Sequence, residues 1–87
     1  MISGEVRVRN SSGIHARPAS MLVRMASGFP CDVTLKYQDR RINAKDIMQI
    51  MTAGIKYGAD LFVVCEGREE TEALRAMISV IENGLGE

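Results

Sequence analysis

The sequence predicts a two-layer α/β sandwich. Four short segments alternate apolar and polar residues with the two-residue period of a half-buried strand. Three others carry helix signals: two have a single apolar stripe, and one is short with a good N-cap. Their order is β-α-β-β-α-β-α, and helices with one apolar face each are satisfied by covering one face of a single sheet. A chain of 87 residues suffices for one domain, 1–87, with one core.

Glu5, Val6, Arg7, Val8 and Arg9 alternate, giving a first strand with both valines inward. Asn10, Ser11, Ser12 and Gly13 read as a loop. Pro18 suits the first turn of a helix, where its missing N–H removes no intrahelical bond. Behind it Ala19, Leu22, Val23 and Ala26 recur at helical spacing. A first helix therefore runs from about Ala16 to Ser27 and closes at Gly28, with Pro30 beyond. Val33, Leu35 and Tyr37 alternate with Thr34 and Lys36 in a second strand, and Gln38, Asp39 and Arg40 turn it into a short third strand over Arg41–Asn43. Asp46 is a good N-cap for a short helix containing Ile47, Met48, Ile50 and Met51, ended by Gly54.

Gly58, Ala59 and Asp60 turn the chain into a fourth strand, Leu61–Glu66, which ends at Gly67. Glu69, Glu70 and Glu72 form an acidic first turn that suits the positive end of a helix dipole. Leu74, Met77, Ile78 and Ile81 are the buried stripe of that last helix, and Gly84 closes it. The uncovered sheet face would carry Glu5, Arg7, Arg9, Thr34, Lys36, Phe62, Val64 and Glu66, mostly polar as expected for a sheet wet on one side. Phe62 and Val64 depart from that pattern. Cross-strand packing is the simpler reading of them and a partner surface the sharper one.

Composition removes several function classes. Eleven basic and eleven acidic residues cancel, and there are only two tyrosines and two phenylalanines, which argues against a nucleic-acid partner. The apolar runs are far too short for membrane insertion. No basic segment followed by an apolar one opens the chain, so a cytoplasmic location is expected. Cys31 and Cys65 have neither CxxC spacing nor histidine neighbours and are expected to be free thiols. With one histidine in the chain, no metal site is expected. The sequence also lacks a G-x-S-x-G elbow and a P-loop, so hydrolase chemistry, ATP binding and a cofactor are not expected.

His15 is that one histidine, and it stands where the first helix begins. A lone histidine is by default a surface or capping residue, but its surroundings carry chemistry. The N–H groups of Ala16 and Arg17 have no intrahelical acceptor and are directed past His15. The positive end of a helix opposes a protonated ring and favours a phosphorylated one, which is dianionic. Arg17 adds a planar charged donor suited to phosphoryl oxygens. Gly13 lets the backbone turn tightly beside them. With metal, hydrolase and nucleotide chemistry set aside, what remains is a domain that carries a phosphoryl group without generating it.

Gly13-Ile14-His15-Ala16-Arg17-Pro18-Ala19 resembles the active-site signature of the HPr family, the histidine-containing phosphocarriers of the bacterial phosphoenolpyruvate–sugar phosphotransferase system. Asn43-Ala44-Lys45-Asp46-Ile47-Met48 and Met51-Thr52-Ala53-Gly54-Ile55 resemble the family's second signature. The ending Gly84-Leu85-Gly86-Glu87 is similar to family C-termini, so the resemblance spans nearly the whole chain. It implies a four-stranded antiparallel sheet in the order 1-4-2-3, covered on one face by three helices. It also implies that His15 accepts phosphate at Nδ1 from phosphorylated enzyme I and passes it to sugar-specific enzyme II A domains, with Arg17 steadying the group in transit.

The family's docking surface maps onto Ala16, Arg17, Ser20, Met21 and Arg24 of the first helix. It continues through Ile47, Met48, Gln49, Met51 and Thr52 of the short one. Flexible methionines suit a surface that serves several partners in turn. Core filling is the alternative for Met48 and Met51, and at least one of the two is expected to be exposed. A monomer is expected.

Many relatives carry a serine where this chain has Asp46. A dedicated kinase phosphorylates that serine, which weakens transfer from enzyme I and promotes binding to a catabolite-control transcription factor. Asp46 cannot be modified in this way. It is either a plain helix cap or a partial mimic of phosphoserine, with one charge against roughly 1.5–2. The second reading allows a different class of function, a regulatory binding module with regulatory proteins as partners, although a pure binding module has no need of His15. A nitrogen-related phosphotransfer chain is a further alternative to sugar transport.

Overall fold

The computed structural model describes residues 1–86. Its elements are β1 (Ile2–Arg7), α1 (Ala16–Ser27), β2 (Asp32–Tyr37), β3 (Arg40–Asn43), α2 (Ile47–Thr52), β4 (Asp60–Glu66) and α3 (Glu70–Glu82), in the expected order. Glu87, the last residue of the C-terminal resemblance, lies outside the described residues. The strands form one antiparallel sheet in the order β1-β4-β2-β3. That is the order the family resemblance implies.

The first helix has the expected bounds, but the first strand is displaced. β1 begins at Ile2 and ends at Arg7, where alternation had placed it over residues 5–9. Gly4 occupies an inward position with no side chain, and Leu74 and Ile78 of α3 fill the space above it. The alternation is therefore present from Ile2 onward but silent at one position. Val8 lies past the strand yet is still paired: its N–H donates to the Ala59 carbonyl and its own carbonyl accepts from Gly58, both at 2.9 Å.

One core fills the space between sheet and helices. The covered face contributes Val6, Val8, Val33, Leu35, Leu61, Val63 and Cys65, all buried. Ala19, Leu22 and Ala26 of α1, Ile50 of α2, and Ala73, Met77 and Ile81 of α3 pack onto them. Leu74 and Ile78, expected in the buried stripe, sit at its half-buried edge. Cys31 and Cys65 are free, buried thiols. Burial pushes the Cys65 thiol up to about 11, and the neighbouring Cys31 adds to the effect.

On the open face, Glu5, Phe62, Lys36 and Arg41 form a row across all four strands. Phe62 is half exposed, at 47%, whereas Val64 is buried between Ser3 and Thr34. The two apolar residues on that face thus have different environments, and only Phe62 presents surface. Arg7 and Asp60 close the end of β1 with an ion pair at 2.9 Å. Among the described residues, no helix is long and apolar enough to cross a membrane.

Candidate functional site

The segment leading into α1 is held from both sides. Asn10 is buried, its side-chain amide donates to the Gly13 carbonyl, and its backbone carbonyl accepts the Gly13 N–H at 3.0 Å. The buried Ile14 then donates its N–H to the Ile55 carbonyl at 2.9 Å, tying the loop to the chain after α2. Gly13 has φ +72°, and a Cβ there would lie 2.7 Å from the Ile55 oxygen and 3.0 Å from the Lys56 Cα. Only glycine fits at that position. His15 therefore enters the helix from a fixed direction.

His15 is exposed and extended (φ −93°, ψ −164°), and its carbonyl accepts the Ala19 N–H at 2.9 Å, so it holds the N-cap position. Its imidazole makes no capping hydrogen bond to the helix. That leaves the first-turn N–H groups of Ala16 and Arg17 unclaimed by the ring, in the place where a helix favours an anion. His15, Arg17, Pro18, Met21, Leu85 and Gly86 line an open depression of about 180 Å³. Of the residues read from the sequence as phosphoryl-binding, Arg17 lines this depression and Ala16 lies exposed beside it.

The far wall of the depression is a contribution that sequence reasoning missed. Leu85 is buried with φ +53°, and its N–H donates to the Val80 carbonyl at 3.0 Å. That turn brings Gly86 against α1, close enough that a Cβ on it would meet the Met21 Sδ at 2.7 Å. The available signal was an apolar residue set between two glycines directly after a helix. Asn10 was also missed, because loop composition does not reveal a buried anchor.

The expected docking residues divide between the two neighbouring helices α1 and α2. Ala16, Arg17 and Arg24 are exposed, while Ser20 and Met21 are half-buried. In α2 only Ile50 is buried, so Ile47, Met48, Gln49, Met51 and Thr52 all face outward. Met48 and Met51 are 63% and 40% exposed, which removes core filling as the explanation for either.

A six-residue helix has little stability of its own, and α2 depends on its ends. Asp46 Oδ1 accepts the N–H groups of Met48 and Gln49 at 3.0 and 3.3 Å. Gln49 donates its side-chain amide to Asp46 Oδ2 at 3.3 Å and accepts the Asn43 N–H at 2.9 Å. At the other end Arg40 donates to the Thr52 and Ala53 carbonyls. Gln49 is thus a structural tie as well as an exposed side chain. No group of three or more His, Cys, Asp or Glu side chains that could hold a metal ion occurs among the described residues.

Fold and site together define a small α/β sandwich that presents a single exposed histidine at the start of a helix. The family model described as "PTS HPr component phosphorylation site" matches residues 2–83, and the chain belongs to the HPr family of phosphotransferase-system phosphocarriers. It is 39% identical over 80 residues to the phosphocarrier protein HPr of Chlamydia pneumoniae, covering 92% of this chain and 74% of that one. The crystal structure of HPr-C-His from Thermoanaerobacter tengcongensis superposes with a TM-score of 0.95 at 36% identity, covering 100% of this chain and 98% of the other. The Bacillus subtilis catabolite repression protein Crh, solved as a domain-swapped dimer, is also similar: TM-score 0.77, 32% identity, 95% of both chains covered.

Proposed function

We propose that His15 is the phosphoryl carrier. In the first step its Nδ1 lone pair attacks phosphorus on phosphorylated enzyme I. The Nδ1–phosphorus bond forms as the donor's bond to phosphorus breaks, leaving that electron pair with the donor. In the second step an acceptor group on an enzyme II A domain attacks the same phosphorus, and the Nδ1 electron pair returns to the ring. Arg17 and the first-turn N–H groups stabilise the oxygens in both steps.

The observation that carries this reading is the exposed His15 sharing one open depression with Arg17 at the start of α1. The exposed residues of α1 and α2 form the docking surface, and the chain acts as one cytoplasmic domain and as a monomer. Incubation with phosphoenolpyruvate and enzyme I should give an acid-labile adduct that His15→Ala abolishes. Lack of labelling with a cognate enzyme I would overturn the reading. Arg17→Ala should slow transfer on the order of 10²-fold, the usual cost of losing one charged stabilising donor.

The similarity to Crh raises a second reading, a regulatory module in which Asp46 imitates phosphoserine. Its hydrogen bonds to Met48 and Gln49 account for Asp46 as a cap without any mimicry. A large gain in transfer rate for Asp46→Ser would favour the regulatory reading; an unchanged rate would favour the cap.

A further inference from the structure

Asn10 is the one polar or charged residue buried among the described residues, at 2% exposure. Its side-chain Oδ1 is enclosed and meets no hydrogen-bond donor among them. An enclosed acceptor without a partner carries its desolvation cost uncompensated, so stability alone does not explain an amide at this position. The other end of the same side chain does explain it. The amide nitrogen donates to the Gly13 carbonyl, and the Asn10 backbone carbonyl accepts the Gly13 N–H at 3.0 Å. One residue thus holds both polar groups of Gly13. Turned over, the amide would set oxygen against oxygen.

The peptide group between Gly13 and Ile14 is also held from its opposite end. Its N–H, that of Ile14, donates to the Ile55 carbonyl at 2.9 Å. Asn10 and Ile55 therefore fix the orientation of this peptide between them. His15 follows directly, exposed, with an imidazole that makes no capping bond to α1. The cap does not hold the ring, so the direction of the entering backbone sets where the His15 side chain leaves the chain.

We propose that Asn10 is a positioning residue for phosphoryl transfer: by fixing the Gly13–Ile14 peptide, its amide sets the direction in which His15 meets phosphorus. The proposal rests on the phosphocarrier reading. Asn10 is enclosed, so a protein docked on the exposed side chains of α1 and α2 does not reach it. Its effect therefore belongs to the transfer and not to the binding of either partner. A reacting atom displaced by a fraction of its contact distance loses rate without losing affinity.

The test is the rate of enzyme I-dependent labelling as a function of carrier concentration, with each variant first shown to be folded by urea denaturation. Asn10→Ala removes the donor and the unpartnered oxygen together and should keep a urea midpoint close to that of the wild type. Asn10→Asp keeps the shape and places an oxygen where the donor was. Both should lower kcat on the order of 10²-fold and leave KM within about twofold. Transfer from labelled carrier to an enzyme II A domain should slow by a similar factor, because the same ring serves both steps. A purely structural Asn10 would change the midpoint and leave kcat of the folded protein unmoved. Normal kcat in both folded variants overturns the proposal and leaves the phosphocarrier reading standing. A raised KM at unchanged kcat makes Asn10 part of docking and also overturns it. An unlabelled wild type overturns both readings together.

Discussion

The carbonyl oxygen of Ile55 stands 2.7 Å from where a Cβ on Gly13 would lie. The same oxygen accepts the Ile14 N–H, so the chain after α2 and the loop before His15 share one contact. Gly13→Ala would put a side chain at φ +72° and against that oxygen. The left-handed backbone alone costs about 1–2 kcal/mol, and relieving the overlap moves either Ile14 or Ile55. The expected outcome is a lower urea midpoint together with slower His15 labelling. Normal labelling at reduced stability would show that the loop's position does not govern the site.

Asp46 is the second point at which the site depends on a single side chain. Asp46→Ala removes the acceptor for two N–H groups of α2 and the partner of Gln49. Loss of such a cap costs about 1 kcal/mol, and serine caps nearly as well as aspartate. Equilibrium denaturation should therefore rank the variants Asp46, Asp46→Ser and Asp46→Ala, with the first two close together. Equal stability of all three would remove the capping role.

How much of this was legible follows from which signals are local. Pro18, the stripe Ala19, Leu22, Val23 and Ala26, and the closing Gly28 are all local to α1, and its bounds were read without error, although Val23 is only half-buried. Alternation assigned faces correctly within the strands, although Arg9, expected on the open face, lies beyond the end of β1; it could not say which strand neighbours which, and the 1-4-2-3 order came from the resemblance. Gly4 hid the start of β1 because an inward position without a side chain leaves no period to read. Met48 and Met51 are both exposed because a helix as short as α2 has one inward position, taken by Ile50. The Leu85–Gly86 wall depends on α3 returning its C-terminus to α1; Gly84-Leu85-Gly86 marks a turn with an apolar anchor, but nothing local says that it meets α1.

Acid sensitivity should centre on Glu70. Its carboxylate accepts the Gly67 N–H at 3.0 Å and pairs with the Met1 ammonium at 3.1 Å, and these two contacts hold its titration below the ordinary 4.5. A group depressed in the folded state contributes stability above its unfolded value and loses it as pH falls through the folded one. The urea midpoint should thus drop as pH falls below about 4.5. Glu70→Gln should flatten part of that drop. An identical acid profile in the variant would assign the loss to other carboxylates, Asp60 beside Arg7 being the first of them.

Alkaline behaviour should centre on Cys65, whose thiol is raised to about 11 by burial first and by Cys31 second. The sign is opposite to that of Glu70. A group raised in the folded state supplies its stability below its ordinary value of 9.0 and loses it as pH climbs through about 11. Near pH 8 the native thiolate is scarce, so an aromatic disulfide reagent should label native protein on the order of 10²-fold more slowly than urea-unfolded protein, since the thiolate is the nucleophile. Cys65→Ala should cost about 1 kcal/mol near neutral pH, the range for removing one small buried group. It should also weaken the alkaline loss of stability. Rapid labelling of the native protein near pH 8 would mean that β4 opens readily, because Cys65 is fully buried between Ile2 and Val33.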